Sequence, residues 1–196
     1  MNEENNVKTV GRYRPSLGFY HASPKGNGCV AKFTLHPAHD NEDGSIMMMM
    51  AGQQTVGNRN GANPTFATFD YNNAVYVKLD FNDLVEILRV FQGEIESVND
   101  GKGLYHRSVK YATSIRVTHI IDPIVGYSIE VWRKPFRTEE SETHLRIVLK
   151  PGEALGLCEA IRGSLYLVTF GIPMLVEHDT SAYRAETKAM RETSAA

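Results

Sequence analysis

Aromatic and basic residues alternate along several segments whose composition is typical of β-strands. The four stretches are Tyr76-Val77-Lys78, Tyr105-His106-Arg107, Lys110-Tyr111 and Trp132-Arg133-Lys134. Unpaired bases stack on aromatic rings at about 1–3 kcal/mol per base, while Lys and Arg neutralise phosphates. Successive side chains of a strand point to opposite faces, so residues two apart can contact one ligand and adjacent residues cannot. The alternation therefore indicates binding of a single-stranded nucleic acid, with core packing as the alternative for each ring taken alone.

Nine residues are the predicted contacts because each brings a positive charge or an aromatic ring to a strand or a turn. They are Lys25, Lys32, Lys78, Tyr105, Arg107, Lys110, Arg116, Trp132 and Arg133. The formal net charge is −2, which alone does not indicate a nucleic-acid-binding protein. The distribution of charge does, because positions 5–39 hold no acidic residue, whereas the first predicted helix is acidic. We expect a polarised molecule whose sheet face attracts polyanions; the alternative is that these charges only cover solvated faces.

Residues that could catalyse a reaction or hold a metal ion are sparse. The sequence has no GxSxG, HExxH, CxxC or P-loop motif. His36, His39 and Asp40 are spaced closely enough for a metal-binding turn, but no second pair of ligands follows at a recognisable separation. Cys29 and Cys158 lie in apolar runs, which favours buried free thiols and a reducing compartment over a disulfide. We therefore predict neither an enzyme nor a metal ion or other cofactor.

The elements that must carry the candidate residues form a unit that occurs twice, about 70 residues apart. VKLDFNDLVEILRVFQG begins at Val77, and IVLKPGEALGLCEAIRG begins at Ile147. Each copy has the pattern of a strand followed by a helix, with Asp80 as the N-cap of the first helix and Pro151 in the first turn of the second. On the second helix, Leu155 is predicted to face inward. The order strands, helix, strands, helix predicts an α+β fold with the helices behind an antiparallel sheet.

The domain boundaries follow from where this pattern begins and ends. Residues 1–16 are polar and aperiodic, which predicts a flexible arm, and the polar stretch 176–196 predicts a tail. A single domain is expected over 17–175, with repeat units at about 19–98 and 102–172. No apolar run reaches the ~20 residues needed to span a bilayer, and the N-terminus lacks the apolar core of a secretory signal. We expect a cytoplasmic protein with no membrane partner.

The segment FYHASPKGNGCVAKFTLHP, from Phe19 to Pro37, resembles the opening strand of the Whirly family of single-stranded DNA-binding proteins. In that family a Lys-Gly element runs into small and apolar residues, and Lys25-Gly26 holds that place here. GSIMMMMAG is similar to the family's second strand, and the two strand–helix units are similar to its helix entries. The layout also resembles transcriptional coactivators built from one four-strands-plus-helix unit. Over about Phe19 to Ile172, the resemblance implies two four-stranded antiparallel sheets packed crosswise, with two helices at their junction.

The same resemblance implies a function. Whirly protomers assemble as tetramers through their helices, and single strands lie along their sheets with the bases stacked. The resemblance thus implies a homo-oligomer, a tetramer or a dimer, that binds single-stranded DNA with little sequence preference. The lack of a transit peptide favours replication, recombination or transcription in a bacterium or a phage-infected cell. Kinetoplastid guide-RNA-binding proteins share the architecture, so an RNA-binding or RNA-annealing protein is an alternative, as is a non-catalytic structural assembly protein.

Overall fold

A computed structural model describes residues 15–39, 42–58, 60, 63–136 and 141–171. Three parts of the sequence-based predictions lie outside the described residues: positions 1–14 of the arm, the tail at 176–196, and Asp40 of the turn that holds His36 and His39, here called the histidine turn. The first unit comprises β1 (Ser16–His21), β2 (Cys29–His36), β3 (Ser45–Thr55), β4 (Thr68–Phe69), β5 (Val75–Leu79) and α1 (Phe81–Phe91). The second comprises β6 (Leu104–Arg107), β7 (Tyr111–Ile120), β8 (Gly126–Pro135), β9 (Thr143–Leu149) and α2 (Pro151–Phe170).

Each unit contributes one antiparallel sheet. In the first sheet β2 lies between β1 and β3, and β3 pairs on its other side with β5 and, near its C-terminal end, with the short strand β4. In the second sheet β6, β7, β8 and β9 pair in sequence order. The predicted α+β fold with two antiparallel sheets and two helices is therefore confirmed, with β4 as an additional strand in the first sheet.

One hydrophobic core joins the two units. Leu79 and Leu149 end β5 and β9 at equivalent positions of the repeat, and both are fully buried in this core. Met48 and Met50 point into it from β3, while Met49 packs on the opposite face in a small second cluster. Both faces of β3 are therefore covered at this point, which explains why a run of four methionines is accommodated in one strand.

Helix α1 begins where the sequence predicts. The Asp80 carboxylate accepts a hydrogen bond of 3.0 Å from the N–H of Asp83, whose own carboxylate accepts one of 3.2 Å from the N–H of Asp80. This reciprocal pair satisfies two donors that the first turn leaves free. The chain leaves α1 through Gly93, which has a φ of +74°. The equivalent Gly163 lies inside α2, which continues to Phe170, so the second unit has the longer helix.

A histidine from the sheet of each unit contacts the first turn of the other unit's helix. Nε2 of His106 on β6 lies 3.0 Å from Oδ2 of Asp83 on α1, and Nε2 of His21 on β1 lies 2.9 Å from Oε1 of Glu153 on α2. The Asp83 carboxylate raises the pKa of His106. Asp83 and Glu153 are equivalent in the repeat, so the two contacts tie each sheet to the opposite helix in the same way.

The cysteines and the histidine turn have ordinary structural surroundings. Cys29 and Cys158 are both buried and unpaired, as predicted, and burial raises the pKa of Cys29 to about 11. Within the described ranges, no group of three or more His, Cys, Asp or Glu side chains is arranged to hold a metal ion. His39 lies 3.6 Å from the Glu42 carboxylate. Neither α1 nor α2 is long and apolar enough to cross a membrane.

Candidate nucleic-acid interface

The face of the second sheet that points away from the core, its outer face, carries an aromatic row. Tyr105, Ser114, Trp132 and His144 occupy directly paired positions across β6, β7, β8 and β9. We call these four residues the tryptophan row. The alternation of the strands sends their neighbours, such as Val131, into the core. Tyr105 is 65% exposed, so this face presents at least one flat ring to solvent.

Basic residues lie on both sides of the tryptophan row on the same outer face. Arg116, Glu130 and Arg146 form the next row on one side, and Arg107, Ala112 and Lys134 form the row on the other. The guanidinium of Arg107 lies 4.9 Å from the ring centroid of Phe136. Aromatic rings flanked by positive charge are the arrangement that stacks bases and neutralises phosphates.

Glu130 lies among these basic groups and is neutralised by its neighbours. Its Oε2 lies 3.1 Å from Nε2 of His144, and its Oε1 accepts a hydrogen bond of 3.0 Å from Oγ of Ser128. Nε of Arg146 lies 3.6 Å from Oε1 of Glu130. The carboxylate therefore fixes the positions of a ring and a cation on the outer face, and Arg116 remains without a carboxylate partner among the ion pairs of the described residues.

The outer face of the first sheet repeats this combination around Lys32. Gly18, Lys32, Met49 and Tyr76 form one row across β1, β2, β3 and β5. The Lys32 ammonium lies 4.9 Å from the ring centroid of Tyr71 and 5.5 Å from that of Tyr20. Interaction with the Tyr20 hydroxyl raises the pKa of Lys32, although partial burial acts in the opposite direction. Lys32 therefore stays cationic between two rings that are each about half exposed.

The turn that carries Lys25 is held by the side chain of Gln53. Oε1 of Gln53 accepts hydrogen bonds from the N–H of Ser23 at 2.7 Å and of Gly28 at 3.1 Å, and its Nε2 donates to the carbonyl of Ser23 at 3.0 Å. A Cβ at Gly28 would lie 2.3 Å from both Oε1 of Gln53 and the carbonyl oxygen of His21, so only glycine fits. Gln53, which the sequence does not single out, thus positions the exposed turn that presents Lys25.

The structure separates the nine predicted contacts into three groups. Six lie on the outer faces of the sheets: Lys32, Lys78, Tyr105, Arg107, Arg116 and Trp132. Lys25 and Lys110 lie in the turns between β1 and β2 and between β6 and β7. Arg133 points to the other side of β8 from Trp132, where its Nη2 donates a hydrogen bond of 2.6 Å to the carbonyl of Tyr76.

Arg133 therefore joins the two sheets instead of facing outward. Its guanidinium lies 5.1 Å from the ring centroid of Tyr111, and burial lowers its pKa. Side chains alternate between the two faces of a strand with a period of two. Because Trp132 and Arg133 are adjacent, Arg133 points away from the face that carries Trp132. Sequence reasoning also missed Tyr20, Tyr71 and Arg146. Tyr20 and Tyr71 come together at Lys32 only through strand pairing and a connecting turn, which a local pattern does not reveal.

The architecture is similar to three solved structures of low sequence identity. WHY1 from Arabidopsis thaliana is 14% identical with a TM-score of 0.64, and the match covers 91% of this chain and 93% of that one. The plant transcriptional regulator PBF-2 is 13% identical with a TM-score of 0.61, covering 80% and 83%. The trypanosome MRP1/MRP2 structure is 13% identical with a TM-score of 0.54, covering 79% and 86%. The chain has a Whirly-like fold. No protein-family model and no curated protein sequence matches it.

Helix α2 exposes several apolar side chains on its outer side. Leu155 is 63% exposed, so the prediction that it faces inward is wrong, and Tyr166 and Phe170 are also exposed. The rings of Tyr166 and Phe170 contact each other with centroids 5.2 Å apart. Side chains added at Gly152, Gly156 and Gly163 would meet no other atom within 4 Å. The exposed ion pair of Glu159 and Arg162 lies at helical spacing between Leu155 and Tyr166. The helix therefore buries one side in the core and presents to solvent a second side that combines apolar side chains, an ion pair and open glycine positions.

Proposed function

We propose that the protein binds single-stranded DNA with little sequence preference along the outer faces of its sheets. The observation that carries this proposal is the tryptophan row between two rows that hold arginine and lysine. Rings accept any base because every base has a π-face, and the flanking cations neutralise phosphates regardless of sequence. The bound strands would be intermediates of replication, recombination or transcription in a bacterial or phage-infected cell, as predicted from the sequence.

The fold similarity supports the same class of ligand. One of the similar structures is a plant transcriptional regulator, and the resemblance described above is to a family of single-stranded DNA-binding proteins. The Lys32 site of the first sheet gives this chain a second surface of the same chemistry. Open sheet surfaces suit an extended polymer better than a small substrate, and stacking there requires no reactive group. We therefore propose a binding protein and not an enzyme.

Self-association through α2 is part of this proposal. The exposed side of α2 combines the projecting rings of Tyr166 and Phe170 with open glycine positions, and a second copy offers the complementary surface. An interface of this kind is self-complementary, which a symmetric homo-oligomer requires. Burying this side of α2 leaves the outer faces of both sheets free for nucleic acid. The sequence-based prediction of a tetramer or a dimer is consistent with such a surface.

The test is a titration of labelled oligonucleotides followed by fluorescence anisotropy. The proposal predicts that a single strand of mixed sequence binds at least about tenfold more tightly than its duplex, because paired bases cannot stack on the rings. If four outer-face cations each neutralise a phosphate, the logarithm of affinity falls with the logarithm of salt with a slope of about −3. Equal affinity for duplex and single strand, or a slope near zero, would contradict it. Tighter binding of the matched RNA would assign the site to RNA.

A further inference from the structure

Both faces of the Trp132 indole are covered in the free protein. The imidazole of His144 on β9 is stacked on it, with ring centroids 4.6 Å apart and planes 7° from parallel. The guanidinium carbon of Arg116 on β7 lies 5.3 Å from the same ring centroid. Because β7 and β9 flank β8 on opposite sides, the two groups approach the indole from opposite sides. A base can therefore stack on Trp132 only after one of them moves.

His144 is the group that is able to move. It belongs to β9, which is the edge strand of the second sheet, whereas Arg116 belongs to β7 between two paired strands. The His144 side chain is 47% exposed, and its polar contact is the 3.1 Å interaction with Oε2 of Glu130. When the imidazole leaves, Glu130 retains the hydroxyl of Ser128 and the guanidinium of Arg146 as partners. Displacement thus leaves no carboxylate without a neutralising group.

The stacked imidazole also resembles a nucleobase in the respects that matter for stacking. It is flat and aromatic, and it lies parallel to the indole in an offset stack. We propose that the Trp132 face now covered by His144 is the stacking site for one unpaired base, which enters by displacing the imidazole. This inference rests on the proposed function and adds a named base position and the residue that occupies it beforehand. Arg116 keeps its place on the other face and meets the adjoining phosphate.

The inference predicts that one substitution on the binding face strengthens the binding of a single strand instead of weakening it. His144→Ala removes an exposed residue from a binding face, a change that weakens binding wherever the residue contacts the ligand. Here it uncovers the stacking site, so we expect the affinity for a single-stranded oligonucleotide to rise by about 2- to 10-fold, because the incoming base no longer has to break the stack of His144 on Trp132. The matched control is His144→Phe, which keeps a flat ring over Trp132, and this variant should bind no more tightly than the wild type.

Trp132 is the single tryptophan of the chain, so its fluorescence reports on this site directly. The experiment measures anisotropy of a labelled oligonucleotide and tryptophan emission in the same titration for the wild type, His144→Ala and His144→Phe. Tighter binding by His144→Ala, with tryptophan emission quenched in step with complex formation, supports the inference. Formation of a complex without a change in emission, or weaker or unchanged binding by His144→Ala, overturns it while leaving the proposed function in place. Absence of any complex in all three proteins overturns both.

Discussion

A Trp132→Ala variant is expected to bind a single-stranded oligonucleotide roughly 5- to 150-fold more weakly than the wild type. Loss of one base stack costs about 1–3 kcal/mol, and every 1.4 kcal/mol corresponds to a factor of ten in the dissociation constant. Trp132 also supports its neighbours, since the imidazole of His144 and the guanidinium of Arg116 both lie against its ring. Its removal therefore disturbs the middle of the outer face as well as the stack itself. Anisotropy titrations at fixed salt give the measurement.

Two control variants show whether the loss of affinity in Trp132→Ala arises from the missing stacking surface. Trp132→Phe retains an aromatic face and should lose less affinity than Trp132→Ala. Phe81→Ala removes an exposed aromatic ring at the start of α1, away from the outer faces of the sheets, and its affinity should match the wild type. If Trp132→Ala and Phe81→Ala bind equally well, the tryptophan row is not a contact surface for the strand.

Leu79→Ala and Leu149→Ala are each expected to lower the free energy of unfolding by about 2–5 kcal/mol. Both side chains are fully buried, and a Leu→Ala change in a packed core loses transfer free energy and leaves a cavity. Both belong to the same cluster, which contains residues from both units. We therefore expect similar losses and one cooperative transition in urea denaturation, at the same protein concentration for each variant.

The control for these two variants is Val109→Ala, because Val109 is 92% exposed in the turn between β6 and β7. Its unfolding free energy should lie within about 0.5 kcal/mol of the wild type. Two separate transitions in either core variant would mean that the repeated units unfold independently. A loss below about 1 kcal/mol at one of the two positions would mean that the repeat does not place equivalent leucines in a shared core.

The sequence predicts those parts of the fold that depend on local rules. Asp80 caps α1 because its carboxylate is within reach of the N–H three residues on, and this depends on spacing alone. The end of α2 was less accessible to prediction. Gly93 and Gly163 are equivalent in the repeat, but Gly93 leaves its helix with a positive φ while Gly163 remains helical. Glycine permits both conformations, so the residues that follow it and the packing against the core decide.

The candidate site is predictable only in part for a similar reason. Strand periodicity predicts that Trp132 and Arg133 lie on opposite faces of the strand, but it does not predict which of them faces the core. That choice depends on the pairing of β8 with β7 and β9, which buries Val131 and Ile129 on one side. The position of His144 over Trp132 likewise depends on the register between β8 and β9. These are long-range relations, and residue types along one strand do not contain them.

The central claim is that a single strand lies on the outer faces of the sheets, and photo-crosslinking tests it most directly. A single-stranded oligonucleotide that carries 5-bromodeoxyuridine forms bonds to aromatic side chains in stacking contact when it is irradiated, and mass spectrometry of the digested complex locates them. We predict crosslinks at Trp132 and Tyr105 of the second sheet and at Tyr76 or Tyr20 of the first. Crosslinks confined to α1 and α2, or a complex that forms without any crosslink to these four residues, would contradict the claim.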